Sequence, residues 1–423
     1  MNEELTPKKQ LKVSVPIAIE YFINTLMTLV DTLVAAKIGT SAVGAIGAAG
    51  VIIDIMQMSI QSLNVSNIAI LSKTIGEKNT EKAKQITGNS ILITIAISLI
   101  TIIIIYFANP VFPKLFNVDQ IFITYMTIRL IGFTQNAIVI VLTGHQRTIG
   151  KQGMIMTLRI IAVICNLIFD VIAVQLNYGV AGVAAVTASI DTIICIYLLL
   201  KSKPTVRYKL NKGISMQVLN LFKWNCLERI VSKVNQFVFN ILVSRIGELE
   251  YAVHVIVIQI VNVSQGFVQG FCDGITISIG IESGKNDKEK MAQAKKSIRK
   301  LINIFSVIIP IATGTTAIII AHIAFSEKEL LSIFYSVLPL VIIGQYEEMS
   351  GSFYYGILRG IREFKFLAKR NTITALTQII VAIVLSYTVL GIVGVWMSYA
   401  IYCIVQKQLS KHKYKVIEGE IKQ

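Results

Sequence analysis

Nine of the 24 acidic residues stand inside long apolar runs: Glu20, Asp31, Asp54, Asp170, Asp191, Glu228, Asp273, Glu347 and Glu348. A charge at the centre of a bilayer costs at least about 2.5–3.5 kcal/mol, so such residues face a cavity, pair with a partner or hold a proton. The strongest chemical group is Asp31 with Asn166 and Asp170. Asn166 and Asp170 are four apart and share one face of a helix. Two carboxylates together in low dielectric cannot both ionise cheaply, so one of them retains a proton. The pair is then a proton acceptor. With the Asn166 carbonyl and the Thr187 hydroxyl, the same group instead offers hard oxygens to Na+. A structural hydrogen-bond cluster between helices is the alternative reading.

Other residues carry weaker signals. Asp54 heads a polar stripe with Gln57, Gln61 and Asn64, whose steps keep them on one helical face, lining a cavity or bonding between helices. Glu20, Glu228 and Glu348 are candidate substrate-cavity or second-lobe acids, and Glu228 and Glu348 are otherwise partners of Lys223, Arg229 or Lys233. Pro16 lies about four turns before Asp31. It frees a carbonyl and permits a bend, so it is either a hinge or a static kink. Gly44, Gly47 and Gly50 allow close helix packing. The five cysteines show no CxxC or Cys/His spacing, and His145 and His254 have no partners at metal spacing. No G-x-x-x-x-G-K-[ST] loop or other catalytic constellation is present, so the expectation is no enzyme and no cofactor.

The elements that must position these residues follow from composition. Apolar residues make up 54% of 423, charged residues 15%, and mean hydropathy is +0.67. A soluble protein of this size has too much surface to cover with so few charges. Twelve segments are long and apolar enough to span a bilayer, roughly 13–36, 42–72, 86–108, 120–144, 153–175, 179–200, 216–244, 250–280, 301–324, 330–356, 371–389 and 391–406. The predicted fold is all-α: a polytopic membrane protein of twelve transmembrane helices.

The net charge of +16 is spread in short clusters between the spans, without a basic face for nucleic acid. With the N-terminus inside, 31 of the 40 Lys and Arg fall on the cytoplasmic side and four on the other. That asymmetry places both termini in the cytoplasm. The first and fifth spans then both run outward. Asp31 and Asp170 each lie about five residues from the outer end, at a similar depth by the rise of about 1.5 Å per residue.

The chain is internally duplicated. Ile38-Gly39 aligns with Ile246-Gly247 and Gly76 with Gly284, at an offset of 208. Gly144, Arg147, Gly179 and Gly182 align with Gly356, Arg359, Gly391 and Gly394, at 212. A repeat of six spans is even, so the two lobes are parallel, with cargo expected at their interface. The expected domains are an N-lobe (1–200), a cytoplasmic linker (201–215), a C-lobe (216–406) and a cytoplasmic tail (407–423). The lobes are chemically unequal. Glu20 aligns with Glu228, but Asp31 aligns with Phe239 and Asp170 with Ala382.

These landmarks resemble the multidrug and toxic compound extrusion (MATE) family of secondary exporters. PIAIEYFINTLMTLVDTLVAAKIGTSAVGAIG is similar to its first span and following turn, and KTIGEKNTEKAKQ to its loop between spans two and three. NLIFDVIAV and GVAGVAAVTASI resemble its fifth and sixth spans, and YGILRG its G-x-L-R-G stretch. Lys37 stands where the family usually has Arg, His145-Gln146-Arg147-Thr148 replaces the first-lobe counterpart of L-R-G, and KWNCLERI lacks the expected proline.

The resemblance implies export of organic compounds driven by H+ or Na+, without ATP. Its first-lobe cation site implies roles for Asp31, Asn166, Asp170 and Thr187. Pro16 matches a proline at which the first span bends in some members, and Glu348 matches an acid that some carry eight residues before the span-ten glycine. The expected protein is a monomeric antiporter of the bacterial plasma membrane whose cargo is a small organic, cationic or lipophilic compound. Nine in-span acids against five bases (Arg129, Arg159, Lys223, Arg229, Lys233) lean toward cationic cargo. A lipid-linked oligosaccharide flippase of the same superfamily and a channel are the rivals.

Overall fold

A computed structural model describes residues 5–422, the side chains of 26, 28–33 and 420–422 excepted. The described chain is helical throughout, without strands: α1 (Pro7–Ile38), α2 (Thr40–Gly76), α3 (Thr80–Ala108), the short α4 (Phe112–Phe116), α5 (Ile121–Thr148), α6 (Gln152–Gln175), α7 (Gly179–Ser202), α8 (Lys212–Ser244), α9 (Glu248–Lys285), α10 (Lys288–Ala324), α11 (Lys328–Gly360), α12 (Phe364–Ser386) and α13 (Gly391–Lys422). Twelve long helices match the twelve predicted spans. Nine of them, among the described residues, are long and apolar enough to cross a membrane. Large apolar side chains such as Ile104, Phe107, Ile131 and Ile323 are exposed on their outer faces, as a helix facing lipid requires.

The duplication is visible in the backbone. Gly179 and Gly391, aligned at 212, both have positive φ (57° and 46°) and begin α7 and α13. An L side chain is strained there, so glycine makes each tight entry turn.

The chain forms two compact units. The N-unit is Ile19–Cys226; the C-unit joins the chain through Ala18 to Leu227 and onward. The divisions fall inside α1 and α8. The start of α1 packs within the C-unit: Ala18 belongs to a core with Phe271, Ile275 and Phe353. A Cβ on Gly270 would lie 2.3 Å from Ala18 Cα, and one on Gly274 would lie 2.9 Å from Ser14 Cα. The start of α8 packs within the N-unit, with Ile214 and Val218 against Leu63, Leu71 and Ile86. Close helix approach thus rests on Gly270 and Gly274. The expectation for Gly44, Gly47 and Gly50 is not met among the described residues, where a Cβ would make only an ordinary contact or none.

Segment 203–211, expected as part of the linker, is stitched to α3. Asn89 donates to the Lys209 carbonyl (2.6 Å) and accepts from the Asn211 amide (2.8 Å) and the Ser215 hydroxyl (3.0 Å). Residues 407–422, expected as a tail, continue α13. They are held to the C-unit by Lys407–Glu347 (2.9 Å), Lys413–Glu363 (3.6 Å), a Lys295–Glu418 pair, and Tyr414 packed edge-on against Phe353 and tilted against Tyr354.

Candidate functional site

Three of the four residues expected to bind a cation come together in the N-unit. Asn166 and Asp170 lie one turn apart on α6, and both are fully buried. Thr187, on α7, is 3% exposed. Asn166 Nδ2 donates to Thr187 Oγ1 at 3.4 Å, and that hydroxyl donates to the Val183 carbonyl (3.1 Å). Asn166 Oδ1, facing no described donor, is left without a hydrogen bond. A buried carbonyl oxygen in that state is costly unless a proton donor or a cation reaches it. The fourth residue, Asp31, stands in the second half of α1, and its side chain lies outside the described residues. The donor set on α6 and α7 is amide oxygen, hydroxyl and carboxylate, all hard oxygens suited to Na+ or to proton exchange.

The aligned place in the C-unit is built differently. Gln378, Ala382 and Tyr399 stand where the N-unit has Asn166, Asp170 and Thr187. Phe239, aligned with Asp31, packs edge-on against Trp396 with ring centroids 5.5 Å apart, and Trp396 packs on Tyr399 at 5.5 Å. An aromatic core fills the second copy, and no carboxylate stands at its aligned positions.

The remaining acids are held in several ways. Glu20 is buried, 2.7 Å from Arg147 Nη2 and 3.6 Å from Arg159 Nε. Glu228 pairs with Arg370 at 3.3 Å, and Asp273 with Arg359 at 3.1 Å. The guanidinium groups of Arg359 and Arg370 both sit over the Tyr355 ring. Among the described residues Glu348 has no ion pair; it accepts hydrogen bonds from Tyr399 (3.2 Å) and Gln345 (3.4 Å). For these two glutamates the structure replaces the expected pairing with Lys223, Arg229 or Lys233 by Arg370 and by neutral donors. On α2, Gln57 donates to Asn136 (3.1 Å), which donates to Asp191 (3.1 Å), so this part of the stripe links helices. Asp54 is exposed. Pro16 is accommodated inside α1, two residues before the helix passes from the C-unit to the N-unit.

Sequence reasoning did not assign the arginine partners. The duplication carries a signal for one pair only: Glu20 meets Arg147, but their aligned partners Glu228 and Arg359 do not meet, and each takes another partner, Arg370 and Asp273. His145, between Thr87 and Thr205 at 2.9 Å each, ties α3 to the linker. The described residues contain no cluster of His, Cys, Asp and Glu able to hold a metal ion.

Comparison with known proteins places this geometry in context. Residues 16–172 and 225–384 match the family model MatE. A relative described as probable multidrug resistance protein NorM, from Pseudomonas putida, is 24% identical over 302 residues. That alignment covers 66% of this chain, and the chain spans 64% of the relative's length. Among solved structures, a MOP superfamily transporter from Pyrococcus furiosus, described as having a binding pocket of reverse polarity, superposes with a TM-score of 0.90 at 19% identity, covering 99% of this chain and 98% of that one. An outward-facing multidrug resistance MATE family transporter gives 0.89 at 19%, covering 99% and 97%. A mutant of the Vibrio cholerae MATE transporter VcmN gives 0.90 at 16%, covering 97% and 96%. At these identities the structural likenesses establish the fold alone.

Proposed function

The chain belongs to the MatE family, and we propose that it is a secondary exporter that expels organic, cationic or lipophilic compounds in exchange for H+ or Na+. The observation that carries this reading is the buried contact between Asn166 and Thr187 with Asp170 one turn away. Oxygen ligands are gathered in one unit, and in the other the positions aligned with the two carboxylates are Phe239 and Ala382. A group kept in one copy of a duplicated fold and absent from the other serves a task that only one lobe performs.

The steps follow from this chemistry. A cation from the side of higher electrochemical potential reaches the carboxylates of Asp31 and Asp170. As a proton it neutralises one of them; as Na+ it is held by a carboxylate, Asn166 Oδ1 and Thr187 Oγ1. Either event changes the charge against which α1 packs. Pro16 and the passage of α1 between units two residues later support a bend at that point. The conformation that has bound the cation holds cargo less tightly, so cargo is released as the cation enters. The orientation with both termini in the cytoplasm, and a bacterial plasma membrane, agree with the Lys and Arg asymmetry.

The test is uptake into everted membrane vesicles under an imposed pH or Na+ gradient. Wild type is expected to accumulate a lipophilic cation, and Asp31→Asn and Asp170→Asn are expected to lose the gradient response. Normal gradient-driven accumulation by both variants would overturn the assignment.

A further inference from the structure

Residues 295–300 of α10 (KKSIRK) carry four cations within two turns. Spacing of four divides them into two pairs on different faces. Lys295 and Arg299 turn inward. Lys295 pairs with Glu418, and Arg299 lies 4.0 Å from the Phe353 ring centroid and donates to the Tyr354 hydroxyl (2.7 Å). Lys296 and Lys300 turn outward, are exposed and have no hydrogen-bond or ion-pair partner among the described residues. The same face continues with Ile304, Val307 and Ile311, each more than half exposed. Two ammonium groups thus stand directly beside an apolar stripe of the kind that a helix presents to lipid. The acid on this face is Glu289, two turns nearer the helix start and about 10 Å from Lys296 by the rise per residue, the length over which salt screens exposed charges.

The duplication shows the same face covered in the other copy. By the offset of 208, Gly88 and Leu92 of α3 are the counterparts of Lys296 and Lys300. In the N-unit the chain itself lies on Gly88: a Cβ there would run into the Arg207 carbonyl, and the Arg207 amide donates to the Lys84 carbonyl (3.0 Å). In the C-unit the C-terminal extension binds the inward pair instead, and Lys296 and Lys300 stay exposed. We infer that this open face of α10 binds an anionic phospholipid, whose phosphate accepts from Lys296 and Lys300 and whose acyl chain lies on Ile304, Val307 and Ile311. The apolar stripe argues for a lipid over a soluble anion, which has no use for it. Positive charge beside a span serves topology at any position. Topology alone does not ask for two unpaired lysines one turn apart on the face that lipid touches, where each adds to the attraction for an anionic headgroup. The inference concerns the surrounding membrane and stands apart from the export reading.

The test is native mass spectrometry of the purified full-length protein in detergent, titrated with phosphatidylglycerol or with phosphatidylcholine of the same acyl chains. Wild type is expected to bind the first phosphatidylglycerol about tenfold more tightly than the first phosphatidylcholine, as two lysines beside a membrane surface allow. Lys296→Gln/Lys300→Gln is expected to lose most of that preference, and Lys296→Arg/Lys300→Arg to keep it. Lys411→Gln/Lys415→Gln removes the same charge from the C-terminal extension and is also expected to keep it. A merely destabilised fold weakens both lipids together and leaves their ratio unchanged. Equal binding of the two lipids by wild type, or a full preference in Lys296→Gln/Lys300→Gln, overturns the inference. An equal loss in Lys411→Gln/Lys415→Gln also overturns it, because net charge then sets lipid binding. Displacement of phosphatidylglycerol by glycerol phosphate at equal concentration overturns it too, because the face then takes a soluble phosphate and not a lipid.

Discussion

Asn166 on α6 reaches Thr187 on α7 through a 3.4 Å hydrogen bond, buried in the half of the chain that also holds Asp170. The hydroxyl is already committed as a donor to the Val183 carbonyl, so a lone pair remains for a cation. Thr187→Val keeps the shape and removes that oxygen. Initial export rates against cation concentration are expected to show an apparent affinity for the coupling cation about tenfold weaker, with the maximal rate largely kept. An unchanged cation dependence would assign Thr187 to packing.

The Glu20 site predicts a large stability effect. Arg147 and Arg159 share one buried carboxylate, with Arg147 buried and Arg159 partly buried. Glu20→Gln leaves two guanidinium groups facing a neutral amide, and breaking a buried pair from one side costs about 3–5 kcal/mol. Thermal unfolding in detergent is expected to show a marked fall in midpoint. If Glu20→Gln melts with wild type, the ion pair seen here does not hold the protein together.

Much of this was legible in the sequence, and what was not has a physical reason. Hydropathy fixes where a chain can cross a bilayer, so the twelve long helices fall on the expected spans, although α10 begins 13 residues earlier and α13 runs 16 residues further. The duplicated glycines announce shared turns, and Gly179 and Gly391 share a backbone conformation. Spacing of four puts Asn166 and Asp170 on one face, as found. Partner choice across helices depends on rotation and crossing, which periodicity does not encode. That is why Arg370, and not Arg229 or a nearby lysine, was missed as the partner of Glu228. The same limit hid the start of α1 in the C-unit, because an apolar helix reads alike whichever neighbour it packs on. Residues 407–422 read as a solvated tail by charge, yet Tyr414 and Glu418 anchor them.

The passage of α1 between units gives a packing test. Gly270 meets Ala18 so closely that any side chain must move backbone, since a Cβ would stand 2.3 Å from Ala18 Cα. Gly270→Ala is expected to destabilise by about 1–3 kcal/mol, the usual cost of overpacking. The readout is again the thermal midpoint in detergent. A neutral outcome would contradict the close packing of α1 on α9.

Asn89 is the main clasp of the segment joining the two halves, bonding the Lys209 carbonyl, the Asn211 amide and the Ser215 hydroxyl. Asn89→Ala removes all three contacts with a single change near the start of α3. Limited trypsin digestion is expected to cut at Lys203–Lys212 several-fold faster than in wild type, as a local loss of about 1–3 kcal/mol would allow. Equal protection in both proteins would mean that the segment is held by other contacts.

The most direct test of the account is linkage between cation and cargo at Asp170. Affinity of the purified protein for a lipophilic cation is to be measured with and without Na+, and across pH, for wild type and Asp170→Asn. Wild type is expected to lose cargo affinity by about fivefold or more when the coupling cation is supplied, and Asp170→Asn to show a flat response. Cargo binding that ignores both cations in wild type, or a full response in Asp170→Asn, would contradict the claim that this buried oxygen cluster couples ion entry to export.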